Sequence, residues 1–152
     1  MLELEWADLI AVGALVFSAY QFYRENYRKK MLSTLEAYNQ LQGDVFTGLN
    51  QLLLKQEHND RYFDTLKTGY ADWESTSNYL ARIERFSVGI NSNIYCIRTL
   101  NRLGGGYFIR IFMQLKPIIN KKRKDNISKG AHYDEFEMVV NKLQKMRGKS
   151  IY

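Results

Sequence analysis

Metal and nucleophile chemistry needs histidine, cysteine and carboxylate side chains gathered at fixed spacings. Two histidines, His58 and His132, and one cysteine, Cys96, are scattered over 152 residues. Neither histidine is near Cys96 in sequence, which makes it a small buried hydrophobe rather than a nucleophile, and a lone cysteine excludes an internal disulfide. Glu135 and Glu137 stand two apart and point away from each other on a helix. No nucleophile, base and acid assemble, so the expectation is no catalytic residue, no metal, no cofactor and no small-molecule substrate.

The stretch "GGGYFIRIFMQLKPIINKKRKD" (104–125) carries more. A phosphate-binding loop would need a strand before the glycines and Lys-Ser/Thr opening the helix; Tyr107 and Phe108 follow instead. The glycines then read as a tight turn between two helices, with Pro117 kinking or ending the second. Arg110, on an otherwise apolar helix, calls for a fixed acceptor, and Glu84 is the candidate. The run Lys121, Lys122, Arg123 and Lys124, with Asn126 and His132 beyond it, is either a solvated helix end or a non-specific RNA contact. The net charge of +6 and pI near 9.4 suit nucleic acid or an anionic membrane surface.

These residues have to be placed by helices. One proline and eleven tyrosines in 152 residues point to an all-α domain with aromatic packing. "WADLIAVGALVFSAYQFY" (6–23) is apolar from Leu9 to Tyr20 except for Ser18, and would extend roughly 27 Å as a helix, about one hydrocarbon core. Aromatic residues flank it, acids precede it, and Arg24, Arg28, Lys29 and Lys30 follow. It reads as an uncleaved transmembrane anchor (1–30) with the N-terminus outside, ahead of a cytoplasmic helical domain (31–152) of four or five helices. Ala7, Ala11, Ala14 and Ser18 recur at +4, +3, +4 and form a narrow stripe suited to close packing of anchors into a cyclic homo-oligomer, with Asp8 as a carboxylate at its mouth. A buried core helix is the alternative.

Beyond the anchor, helical spacing places Met31, Leu35, Tyr38, Val45, Leu49 and Leu52 on one inward face. A break is expected at "EHNDR" (57–61). A helix over 62–90 then buries Trp73, Leu80, Ile83 and Phe86, and "GINSN" (89–93) ends it with a glycine. A short helix (94–103) stops at the triple glycine. A closing helix (134–146) buries Phe136, Val139, Val140 and Leu143.

At "ERFSVGI", "GYFIR", "KP" and "YDEFE" the chain resembles an uncharacterised bacterial family of short, N-terminally anchored helical proteins of unknown function. The resemblance covers about 79–143 and implies no activity. In layout the chain is similar to the membrane accessory protein of type VI-B CRISPR systems, a divergent HEPN-like bundle behind one anchor. HEPN ribonucleases use an arginine four to six residues before a histidine, and neither histidine here has one. These resemblances imply a non-enzymatic inner-membrane protein that self-associates and perturbs the bilayer in antiviral defence. The alternatives are a membrane-tethered HEPN-like domain that binds or residually cleaves RNA, and a passive scaffold for a cytoplasmic partner.

Overall fold

The computed structural model describes residues 6–59, 61–66, 71–125 and 133–148, and every element among them is a helix. In chain order these are α1 (Trp6–Gln40), a π-helical segment (Leu41–Phe46), α2 (Thr47–His58), the single turn α3 (Tyr62–Thr65), α4 (Ala71–Asn91), α5 (Ile97–Asp125) and α6 (Asp134–Met146).

The first three elements form one helical rod, because the residues at both ends of the π segment keep right-handed helical angles. Tyr38, Val45, Leu49 and Leu52 are buried along it, as their spacing predicts, whereas Leu35 stays 38% exposed. Within the π segment Phe46 is buried beside Leu41 and Val45, on the flank of the face that Leu49 and Leu53 continue. The rod stops where "EHNDR" predicts, with Asn59 extended after His58.

Helices α4 and α6 bury the faces their periodicity predicts, namely Trp73, Leu80, Ile83 and Phe86, and Phe136, Val139, Val140 and Leu143. Phe108 of α5 is at the centre, with ring centroids 5.0 Å from Phe136, 5.9 Å from Phe86 and 6.4 Å from Phe46. The rod, α4 and α6 therefore each place a ring against this one α5 residue.

Of two expected breaks, one is reduced to a kink and one is absent. Gly104 leaves helical angles (φ −166°, ψ 25°), so two helical segments meet there within α5, and the second runs on through Pro117 to Asp125. Gly104 serves a close approach rather than a turn: a Cβ there would collide with the Tyr38 hydroxyl. Burial of Leu115, Ile118 and Ile119 on both sides of Pro117 offsets the roughly 3 kcal/mol a helical proline costs. At the α4–α5 link the left-handed residue is Asn93 (φ 59°), and the N–H groups of Ile94 and Tyr95 both donate to the Gly89 carbonyl at 2.9 Å. Gly89 lies inside α4, where any Cβ would meet the Tyr95 ring.

The transmembrane reading is overturned. Among the described residues no helix is long and apolar enough to cross a membrane. Asp8 interrupts the run at one end, and Tyr20, Gln21, Tyr23 and Arg24 at the other. The apolar part, Leu9–Ala19, covers roughly 16 Å, about half of a ~30 Å hydrocarbon core. The placement as a single-pass bacterial inner-membrane protein with its N-terminus outside falls with the span, as does a mouth-lining role for Asp8.

Candidate interaction surface

Helix α1 touches the body only through its C-terminal part, where Thr34 and Tyr38 are buried. Upstream of Asn26 every described side chain is exposed. Trp6 is 82% exposed, Ile10 and Leu15 are each 72%, and Phe22 and Tyr23 are 69% and 71%. A helix with apolar residues on all sides is normally covered. Ala11, Ala14 and Ser18 lie on this exposed part, and Gln21, Glu25, Arg28 and Leu32 continue their alternation of threes and fours. The side chain of Ala7 lies outside the described residues. Thr34, at the body contact, is about 160° around the helix from Ser18, so the stripe faces away from the body.

The root of α1 is tied down at one buried point. Thr34 Oγ1 donates to the Lys30 carbonyl at 2.6 Å and accepts the Cys96 backbone N–H at 2.7 Å. Cys96, just ahead of α5, is buried. Burial raises its thiol pKa, but hydrogen bonds from Thr99, the Tyr27 hydroxyl and the Arg98 backbone outweigh that and hold it below the ordinary value. Thr34→Val keeps the shape and removes the acceptor, leaving the Cys96 N–H unsatisfied. A loss of about 1–3 kcal/mol is expected in urea unfolding, and an unchanged midpoint would show that water replaces the threonine.

The arrangement of α1, α4, α5 and α6 can be compared with known proteins. A family model described as a domain of unknown function, DUF4760, matches residues 8–143. The chain belongs to the DUF4760 family. The match takes in the exposed part of α1 from Asp8 onward as well as the bundle. No curated protein and no solved structure matches the chain.

The remaining residues singled out from the DUF4760 sequence are placed as follows. Arg110 is exposed, its guanidinium 5.1 Å over the ring of Tyr107, whose hydroxyl donates to Asn50 at 2.8 Å. It does not pair with Glu84. The two carboxylate oxygens of Glu84 instead accept the backbone N–H groups of Glu135 (3.1 Å) and Phe136 (2.8 Å) at the start of α6. Open N–H groups at a helix start attract a carboxylate, and their claim on Glu84 leaves Arg110 to solvent.

The basic run is largely engaged within the fold. Lys121 donates to the Leu66 carbonyl at 2.8 Å, and Lys122 lies 4.3 Å over the buried Trp73 ring and donates to Ser77. Arg123 bridges Asp134 at 2.9 Å and Glu137 at 2.7 Å, fastening α5 to α6. Lys124 is exposed. Asn126 and His132 lie outside the described residues. Among the described residues no group of acids, cysteine and histidine could hold a metal.

Glu84 gives a pH-dependent expectation. Burial, reinforced by the nearby Glu135 and Asp134 carboxylates, outweighs the two N–H bonds and raises its pKa. The folded state then binds this proton more tightly than the unfolded chain, so the Glu84 contribution falls as pH rises from the ordinary carboxylate range through the raised value. Glu84→Gln loses one acceptor and is expected to cost about 1–3 kcal/mol. The wild-type advantage should narrow as pH rises through that window. An advantage that widened would contradict the burial of Glu84.

Sequence reasoning missed Thr34 and the α1 root around it. A lone threonine carries no sequence signal for a contact 62 positions away.

Proposed function

We propose that this DUF4760 chain is a non-enzymatic self-associating module whose α1 pairs with α1 of a second copy. The observation that carries this reading is the run of exposed apolar side chains from Trp6 to Tyr23, which nothing in the chain covers among the described residues. The charge order favours a second copy in antiparallel orientation. Acids (Glu3, Glu5, Asp8) precede the apolar run and cations (Arg24, Arg28, Lys29, Lys30) follow it. Antiparallel pairing sets each acidic end beside the other copy's basic end, whereas parallel pairing stacks like charges. The stripe Ala11, Ala14 and Ser18 provides small residues at coiled-coil spacing for two backbones to approach, and a two-fold axis presents the same patch from both copies. Parallel anchors were required only by a shared membrane orientation, so an antiparallel pair replaces the ring.

The membrane-perturbing role in antiviral defence rested on the anchor and is not carried further. The RNA-binding alternative loses support from the engagement of Lys121, Lys122 and Arg123 within the fold. Sedimentation of the intact chain tests the proposal: a two-copy species supports it, and a monomer at all concentrations overturns it.

A further inference from the structure

Where α1 meets the α4–α5 link, the two form an open cleft of about 640 Å³, within the range of small-molecule sites. Its α1 residues Tyr23, Tyr27 and Lys30 lie about 120–180° around the helix from Ser18, with Lys29 at the edge of the stripe beside Glu25, so a second copy packed on Ala11, Ala14 and Ser18 leaves it open. Its charged lining is Lys29, Lys30 and Arg98, and no acidic side chain lines it. Lys29 shares its charge with Glu25 at 3.0 Å, while Lys30 and Arg98 make no ion pair among the described residues. Three uncompensated or half-compensated cations around one concavity hold a strong positive potential.

The cleft also has aromatic walls. Tyr23 and Tyr27, one turn apart on α1, line one side, and Tyr95 lines the other. Tyr95 is fixed by stacking on Phe86, with ring centroids 5.3 Å apart and planes 23° from parallel. Tyr23 is 71% exposed and has ring surface to offer. Flat rings accept a flat ring, and a guanidinium with an ammonium accepts a phosphate. We propose that this cleft binds a free nucleoside phosphate, its base against the tyrosines and its phosphates between Lys30 and Arg98. A ligand seated there bridges α1 to the α4–α5 link, across the joint that Thr34 ties from beneath.

Calorimetric titration of the intact chain with ADP, adenosine and inorganic pyrophosphate tests this. ADP is expected to bind, adenosine to bind at least tenfold more weakly, and pyrophosphate to be weaker than ADP. Lys30→Gln and Arg98→Gln, which break no ion pair within the fold, are each expected to weaken ADP binding at least tenfold while leaving the melting temperature unchanged. No heat with millimolar ADP, or ADP affinity unchanged in both variants, would overturn the site. Pyrophosphate binding as tightly as ADP would overturn the role of the tyrosines and hence the nucleoside assignment.

Discussion

Replacing Ala14 by glutamate is expected to turn a two-copy species into a 17.9 kDa monomer in sedimentation velocity. Ala14 is central in the exposed stripe, and in a two-fold pair each substitution enters the contact twice. A carboxylate forced into a close-packed helix seam costs about 2 kcal/mol or more per copy, so the pair weakens roughly a thousandfold. Leu54→Glu is the control. Leu54 is also apolar and 53% exposed, but it sits on α2, away from the stripe. An unchanged sedimentation coefficient is expected for it. If Leu54→Glu dissociated the pair and Ala14→Glu did not, α1 would not be the contact.

The largest stability effect is expected at Phe108. It is fully buried and its ring meets those of Phe46, Phe86 and Phe136. Phe108→Ala removes those contacts and leaves a cavity between the rod, α4 and α6, at a cost of about 3–5 kcal/mol. For a single domain that is a large part of the total stability of about 5–15 kcal/mol. Chemical denaturation should show a lower midpoint with little change in slope. A loss under about 1 kcal/mol would mean the bundle collapses around the site or that Phe108 is not its centre.

The inward faces of α4 and α6 were legible because a strongly periodic sequence leaves a helix one way to bury its apolar side. Phe136, Val139, Val140 and Leu143 follow directly from 3.6-residue spacing. Phe46 was less legible, since it lies at the flank of the face that Val45 and Leu49 define. The triple glycine marks a real interruption, the kink at Gly104. Pro117 misled, because it is a local breaker whose cost the packing of Leu115, Ile118 and Ile119 around it outweighs.

Charged residues were the least legible. Arg110 called for an acceptor because it stands on an otherwise apolar helix, and Glu84 was the acid at hand, yet a carboxylate can satisfy open helix N–H groups instead of a guanidinium. The cations at 121–123 looked free in a contiguous run, but a run on a helix fans out over several faces and meets Leu66, Trp73, Ser77 and the first turn of α6. The apolar run at 6–23 was visible as something needing cover. Sequence spacing alone does not distinguish lipid from a second helix, and the short reach of Leu9–Ala19 is what decides against a span.

Distances between spin labels on α1 test the antiparallel pair most directly. Labels attached at Asp8→Cys, in a Cys96→Ala background, report one distance between the two copies. In an antiparallel pair centred near Val16, the two positions are separated along the axis by roughly 24 Å, from 1.5 Å per residue, whereas Leu15→Cys labels, beside the stripe and offset along the axis by only about 3 Å, lie near one helix spacing of about 10 Å. A long distance at Asp8 with a short one at Leu15 is the expected result. Short distances at both positions would mean a parallel pair, and no inter-copy distance at either would mean that α1 does not join two copies of this chain.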